Sequence, residues 1–174
     1  MALSGKQWFQ SLKDAKVIVV RKNHINFTRN RLYENAVFLD KICANLADEL
    51  VMKGGHLSIM DRVAGGAKCA IFAHDLARQI STRRSLPCLS AHLEKVGSLQ
   101  YSLNVRLKKT ERTIFCVDVL DNELQLKSLT NAMLDAGGKT LPYLATLWNT
   151  TGRTVIDGIK IVSLISSQDK VVLM

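Results

Sequence analysis

The segment that indicates the fold most clearly is TIFCVDVLDNELQ, residues 113–125. Its apolar part, Ile114 to Leu120, predicts a central strand in a sheet that is covered on both faces. Acidic and polar residues follow, and a helical pattern begins directly after them. Open α/β sheets build their ligand sites at the carboxyl ends of such strands. We therefore expect a site at Asp118 and in the turn that follows it.

The apolar residues on either side of this segment follow two periodicities. A spacing of three and four predicts helices over 36–50, 67–80 and 126–136, and short apolar or alternating runs predict strands. The predicted strands cover 17–20, 57–60, 86–90, 101–107, 143–148 and 159–165. Double glycines at 54–55 and 137–138 are expected to end two helices. This alternation predicts an α/β fold: a single-domain, open, mostly parallel sheet flanked by helices over residues 1–174.

Composition favours a compact domain without a metal cluster. The chain has 174 residues, of which 47% are hydrophobic, and this is enough for one core. No apolar run approaches the roughly 20 residues of a membrane span, and the start lacks a signal-peptide core, so we expect a cytoplasmic protein. The four cysteines are widely spaced in apolar segments and are expected to be buried thiols. Histidine and cysteine spacing predicts no metal site.

The formal net charge of +9 favours an anionic partner, such as a nucleotide or another anionic small molecule. Basic residues are frequent in the first third of the chain, where Trp8, Phe9, Phe27 and Tyr33 lie among them. A solvated basic face is the ordinary interpretation of this pattern, and nucleic-acid binding is the alternative. No Walker loop, dinucleotide fingerprint or Gly-x-Ser-x-Gly elbow occurs in the sequence.

The order of elements and several local strings resemble the type I phosphoribosyltransferases, and among them the orotate phosphoribosyltransferases. HINFTRNR at 24–31 resembles that family's opening substrate segment, and DRVAGGA at 61–67 resembles its glycine turn beside the pyrophosphate. LPCL at 86–89 resembles the strand that leads into its mobile catalytic loop. Residues 113–125 stand where its phosphoribosyl pyrophosphate motif would be, and WNTTGR at 148–153 resembles its closing segment.

The resemblance implies roles for particular residues. Residues 1–34 would form a small N-terminal hood, and the protein would be a homodimer. In an active enzyme, Mg²⁺ would accompany the phosphoribosyl pyrophosphate donor, Asp118 would hold the ribose, and Lys95 or His92 would assist the leaving pyrophosphate. Arg153 would neighbour the base. The stretch formed by Arg62, Val63, Ala64, Gly65 and Gly66 would bind an anion, although a purely structural strand-to-helix turn is the other interpretation.

The sequence departs from the family motif, in which two adjacent acidic residues precede a turn rich in threonine and glycine. Val117 stands in place of the first acid, and Asp118 retains the second. Asp121, Asn122 and Glu123 then replace the phosphate cradle. A carboxylate about 4 Å from a phosphate charge is unfavourable by about 4 kcal/mol at an effective dielectric of about 20. Asp121 or Asn122 is also suited to cap the following helix.

The expected mobile loop, residues 90–97, departs from the family as well. Lys95 is its only fully cationic residue and His92 is a titratable one, which is little charge for a pyrophosphate clamp. The sequence therefore predicts a phosphoribosyltransferase-like fold with lost or strongly reduced transferase activity and a ligand- or partner-binding role. An active orotate phosphoribosyltransferase of pyrimidine nucleotide metabolism is the first alternative. A basic nucleic-acid-binding regulator is the second.

Overall fold

The computed structural model describes residues 3–21, 24–53, 60–97 and 100–167. The helices in these ranges are α1 (Gly5–Asp14), α2 (Arg29–Tyr33), α3 (Ala36–Lys53), α4 (Ala70–Arg84) and α5 (Glu123–Asp135). The strands are β1 (Ile18–Arg21), β2 (His24–Phe27), β3 (Arg62–Gly66), β4 (Leu89–Lys95), β5 (Tyr101–Leu103), β6 (Arg112–Leu120), β7 (Lys139–Asn149), β8 (Val155–Ile156) and β9 (Ile159–Ser166).

Seven strands form one sheet in the order β5-β4-β3-β6-β7-β9-β8. The five inner strands are parallel, and the two edge strands, β5 and β8, run antiparallel to their neighbours. β1 and β2 form a separate antiparallel hairpin. The predicted α/β fold with a mostly parallel sheet and flanking helices is confirmed.

Strand β6 is central because both of its faces are covered. Successive side chains of a strand point to opposite faces: Ile114 and Cys116 join the core formed with α1, α3 and α4, whereas Phe115 and Val117 join the core under α5. All four are buried, and full burial of a large apolar side chain contributes about 1.5–3 kcal/mol. The apolar run that predicted this strand therefore supplies both cores.

Several elements differ from their predicted positions, and the strand expected over 101–107 forms only over Tyr101–Leu103. Residues 62–66 form β3 instead of a turn, and the predicted strand residues 57–59 lie outside the described residues. The glycine at 65 serves helix packing, because a Cβ there would lie 2.6 Å from Ala73 Cβ and 2.9 Å from the Cys69 carbonyl oxygen. Residues 89–95, most of which were expected to form a mobile loop, are β4, since Ala91 and Leu93 are buried on one of its faces.

The helix ends agree with the glycine pattern where they are described. Helix α5 ends at Asp135, two residues before Gly137, which has a φ of +79°. Gly54 and Gly55, expected to end α3, lie outside the described residues. Among the helices of the described ranges, none combines the length and the apolar character that crossing a bilayer requires.

The four cysteines are free and buried, as expected from their spacing. Burial raises the pKa of the Cys69 thiol and of the Cys88 thiol to about 12. Thiols with raised pKa values are poor nucleophiles at neutral pH. The cysteines therefore act as small apolar side chains of the core.

We expect Gly65→Ala to lower the free energy of unfolding by about 1–3 kcal/mol, because the new methyl group overpacks the contact between β3 and α4. Gly66→Ala is the matched control, since a Cβ at Gly66 meets nothing within 4 Å, and its change should stay within about 0.5 kcal/mol. Urea denaturation of both variants measures the difference. Equal losses in the two variants would contradict the packing role of Gly65.

Candidate functional site

Asp118 lies near the carboxyl end of β6 and is only 2% exposed. Its carboxylate accepts hydrogen bonds from two nitrogens of the Arg29 guanidinium, from Nε to Oδ2 and from Nη2 to Oδ1 at 3.2 Å. The backbone N–H of Val119 donates to the same Oδ1 at 2.9 Å. Charge-assisted, two-point pairing of this kind is among the strongest polar contacts in proteins. Both oxygens of the buried carboxylate are therefore engaged by the protein itself.

Arg29 is the first residue of α2, in the segment that follows the β1–β2 hairpin. Its side chain is 38% exposed and its guanidinium carbon lies 5.9 Å from the centre of the Phe27 ring. The hydrogen bond to Asp118 raises the pKa of the Arg29 guanidinium, against the opposing effect of burial. The ion pair thus fixes the N-terminal segment to the carboxyl end of the sheet. Sequence reasoning missed this role of Arg29.

A cavity of about 260 Å³ opens beside this pair. Of the predicted site residues it brings together Asp118, Lys95 and Gly66, and it adds Arg29, Lys68 and Gln125. A second cavity of about 440 Å³ shares Arg29 and Lys68 with the first and is lined further by Phe27, Asn30 and Tyr33. The Tyr33 hydroxyl donates to the Lys68 carbonyl oxygen at 3.0 Å, and burial raises the pKa of Tyr33.

Side chains of the turn after β6 form hydrogen bonds within the turn itself. Asn122, one of the two residues expected as the cap, caps α5, because its Oδ1 accepts the Gln125 backbone N–H at 2.8 Å. Asp121 accepts from the Asn122 amide at 3.0 Å. Glu123 forms an exposed ion pair with Arg153. Arg153 partly compensates the negative charge of Glu123. Asp121 accepts a hydrogen bond from a neutral amide only, so we expect it to repel a phosphate more strongly than Glu123 does.

Comparison with solved structures decides the fold family. No protein-family model and no curated protein sequence matches the chain. An orotate phosphoribosyltransferase from Aeropyrum pernix matches with a TM-score of 0.64 and 16% identity, over 94% of this chain and 96% of that chain. The chain has the type I phosphoribosyltransferase fold.

Two further structures agree with this assignment. Leishmania donovani UMP synthase matches with a TM-score of 0.66 and 14% identity, over 97% of this chain and 38% of that chain. An adenine phosphoribosyltransferase from Saccharomyces cerevisiae matches with a TM-score of 0.65 and 11% identity, over 91% and 98% of the two chains. Structural similarity at 11–16% sequence identity shows a shared fold and does not show a shared activity.

Within this phosphoribosyltransferase fold, Arg62 is far from the Asp118 cavity. Arg62 pairs in register with Thr113, at the opposite end of β6 from Asp118. Its guanidinium donates to the Ser90 carbonyl oxygen at 3.2 Å and to Glu111 at 3.0 Å. The backbone N–H of Lys108, and then Arg62, lower the pKa of Glu111. The expectation that Arg62 stands beside an anion at a glycine turn is therefore corrected: Arg62 bridges the amino ends of the strands.

The remaining predicted residues lie at three different places. Val63 and Ala64 are buried inside β3, and Gly65 lies beside His92 of β4. His92 and Lys95 are an odd number of positions apart in β4, so their side chains point to opposite faces of the sheet. Arg153 contacts Glu123 at the edge of the turn. The structure thus separates His92 and Arg62 from the cavity that contains Asp118 and Lys95.

The connection between β4 and β5 is a short hairpin over residues 96–100. The Val96 N–H donates to the Gln100 carbonyl oxygen at 3.0 Å, while residues 98 and 99 lie outside the described residues. The mobile loop of the phosphoribosyltransferase fold was expected at 90–97, but most of that stretch belongs to β4. Lys95, the last residue of β4, is the cation that this region brings to the cavity.

The cavity residues do not fit Mg²⁺. Asp118 is the only carboxylate among the described residues that line the cavity, and Arg29 engages both of its oxygens. Mg²⁺ requires oxygen ligands in near-octahedral geometry. In the described ranges, no group of three or more histidine, cysteine, aspartate or glutamate side chains is arranged so that it could hold a metal ion.

We expect Arg29→Met to lower the free energy of unfolding by about 2–4 kcal/mol, because it leaves the Asp118 carboxylate buried without a cation. Combining it with Asp118→Asn should recover at least half of this loss. Arg153→Met is the control, because it removes an exposed ion pair worth less than about 1 kcal/mol. A double-mutant cycle measured by urea denaturation tests this. Additive losses at residues 29 and 118 would contradict the coupling.

Proposed function

We propose that this chain is a phosphoribosyltransferase-fold protein with lost or strongly reduced transferase activity, and that it acts by binding a ligand or a partner at the carboxyl end of its sheet. The observation that carries the proposal is the ion pair between Arg29 and Asp118. By the family resemblance, Asp118 is the acid that would hold the ribose hydroxyls. A ribose would have to displace a guanidinium that makes two hydrogen bonds to this buried carboxylate.

The turn before α5 supports the same conclusion. By the resemblance, this turn would present backbone N–H groups to the 5-phosphate of the donor. Here the Gln125 N–H is already bonded to the side chain of Asn122, and the Asp121 carboxylate belongs to the same turn, where it accepts a hydrogen bond from the Asn122 amide. A phosphate would therefore lose a helix-terminal donor and meet a like charge. Both effects weaken donor binding.

The β4–β5 hairpin is the third support. A family member neutralises the leaving pyrophosphate with a basic mobile loop that its dimer partner helps to supply. This chain has a five-residue connection at that place, 96–100, without a lysine or arginine. The developing charge of a leaving pyrophosphate would therefore receive little compensation beyond Lys95 and Lys68.

The active orotate phosphoribosyltransferase is the alternative enzyme. Its support is the resemblance of the local sequence strings to orotate phosphoribosyltransferases, because an orotate and an adenine phosphoribosyltransferase match the fold about equally well, with TM-scores of 0.64 and 0.65. In this alternative Asp118 holds ribose, Lys95 assists the leaving group and Mg²⁺ accompanies the donor. We further propose a cytoplasmic homodimer, on the strength of the family resemblance.

Nucleic-acid binding by the basic surface is the less supported alternative. Several of its arginines have carboxylate partners within the protein: Arg29 pairs with Asp118, and Arg31 pairs with Glu34 at 3.5 Å. Arg83 likewise pairs with Asp48. Cations paired in this way contribute less to a phosphate-binding surface than free ones do.

Calorimetric titration with phosphoribosyl pyrophosphate and Mg²⁺ tests the proposal. We expect no dissociation constant below millimolar and no formation of orotidine monophosphate when orotate is added. The reason is that Arg29 is paired with Asp118 and that the Asn122 side chain already accepts the Gln125 N–H at the start of α5. The orotate phosphoribosyltransferase from Aeropyrum pernix serves as the positive control under the same conditions. A micromolar dissociation constant, together with turnover that Asp118→Asn abolishes, would establish the active enzyme instead.

A further inference from the structure

The cavity beside Asp118 carries a surplus of positive charge. Arg29, Lys68 and Lys95 are its cationic lining residues, and Asp118 is its carboxylate. Arg29 and Asp118 neutralise each other. Within the described part of the chain, neither Lys68 nor Lys95 has a carboxylate at ion-pair distance. Two positive charges therefore remain uncompensated at one small cavity.

The two lysines are brought together by neighbouring parallel strands. Lys68 lies in the 3-10 turn that follows β3, and Lys95 is the last residue of β4. Gly66 pairs in register with Leu93, so both lysines follow the same edge of the sheet. The Arg29 guanidinium also has N–H groups beyond the two that Asp118 accepts. An anion in the cavity can thus receive charged donors from three elements.

The remaining lining is apolar or under-satisfied. Val117 and Leu129 contribute buried apolar side chains to the wall. Gln125 also lines the cavity, and its Oε1 is buried without a hydrogen-bond partner in the described residues. An unsatisfied buried amide oxygen is costly, and because it only accepts hydrogen bonds, its partner would be a donor such as a water or a hydroxyl group and not the charged group of an anion.

The cavity by itself suits a small occupant, and the second cavity of about 440 Å³ shares Arg29 and Lys68 with it. The cavity measures about 260 Å³, just below the roughly 300–1,000 Å³ that is usual for sites of drug-sized ligands. A nucleotide or phosphoribosyl pyrophosphate would need the cavity and also the acceptor oxygens of Asp118. A small anion needs only the cavity.

We propose that this cavity binds a compact dianion without a ribose, of the size of a short dicarboxylate or a phosphate monoester, between Lys68 and Lys95. The inference rests on the proposed function, in which Asp118 stays paired with Arg29 while the ligand is bound. Two negative charges match the two uncompensated ammonium groups. The short carbon backbone of such a ligand would lie against Val117 and Leu129.

Calorimetry on the 174-residue chain at low ionic strength tests the inference. The probes are succinate, glycerol 3-phosphate, and monomethyl succinate as a singly charged match. We expect one of the two dianions to bind, and the monomethyl ester to bind at least about tenfold more weakly, because it leaves one lysine unpaired. Succinate as the tighter ligand identifies a dicarboxylate site, and glycerol 3-phosphate as the tighter ligand identifies a phosphate site.

Single lysine variants test whether the dianion binds in this cavity. Lys68→Met and Lys95→Met should each weaken dianion binding by about tenfold or more. Lys127→Met, on the exposed surface of α5 outside the cavity, changes the net charge equally and should leave binding unchanged. Equal weakening in all three variants, or no binding of either dianion, would overturn the inference. If neither dianion nor phosphoribosyl pyrophosphate binds, only this inference fails, whereas turnover of phosphoribosyl pyrophosphate would refute the proposed function.

Discussion

The ion pair between Arg29 and Asp118 connects the two parts of this molecule. Asp118 belongs to the central strand of the sheet, and Arg29 belongs to the N-terminal segment that lies over the sheet's carboxyl end. A carboxylate that is 2% exposed requires a cation, and no residue near it in sequence supplies one. The pair therefore fixes the N-terminal segment in place and determines which groups a ligand meets in the cavity.

The phosphoribosyltransferase fold by itself does not determine the chemistry of the site it carries. The central strand, the helix behind it and the parallel sheet agree with the phosphoribosyltransferase fold of the similar structures. At the carboxyl ends of the strands Arg29 pairs with Asp118, Asn122 caps α5, and β4 is followed by the antiparallel strand β5. These are the positions at which open α/β sheets normally vary their chemistry. The fold of this chain therefore does not establish its activity.

The sequence predicted the elements whose stability is local. Strand β6, helix α5 and its Asn122 cap follow from apolar periodicity and side-chain capping, which both act within a few residues. The positions of β3 and β4 depended on long-range packing, because Gly65 is required by the approach of α4 and β4 is recognisable only beside β3. The contact between residues 29 and 118 spans most of the chain and leaves no local pattern. An acidic residue within an otherwise apolar central strand is the signal that a distant cation is needed.

Nuclear magnetic resonance of the Arg29 side chain tests the central claim most directly. The Nε–H signal of Arg29, assigned by its loss in Arg29→Met, should exchange slowly with water because it is bonded to the buried carboxylate of Asp118. The account predicts that this signal stays unchanged when Mg²⁺ and phosphoribosyl pyrophosphate are added to millimolar concentration. Its shift or disappearance at micromolar donor would show that ribose replaces the guanidinium at Asp118, and would contradict the account.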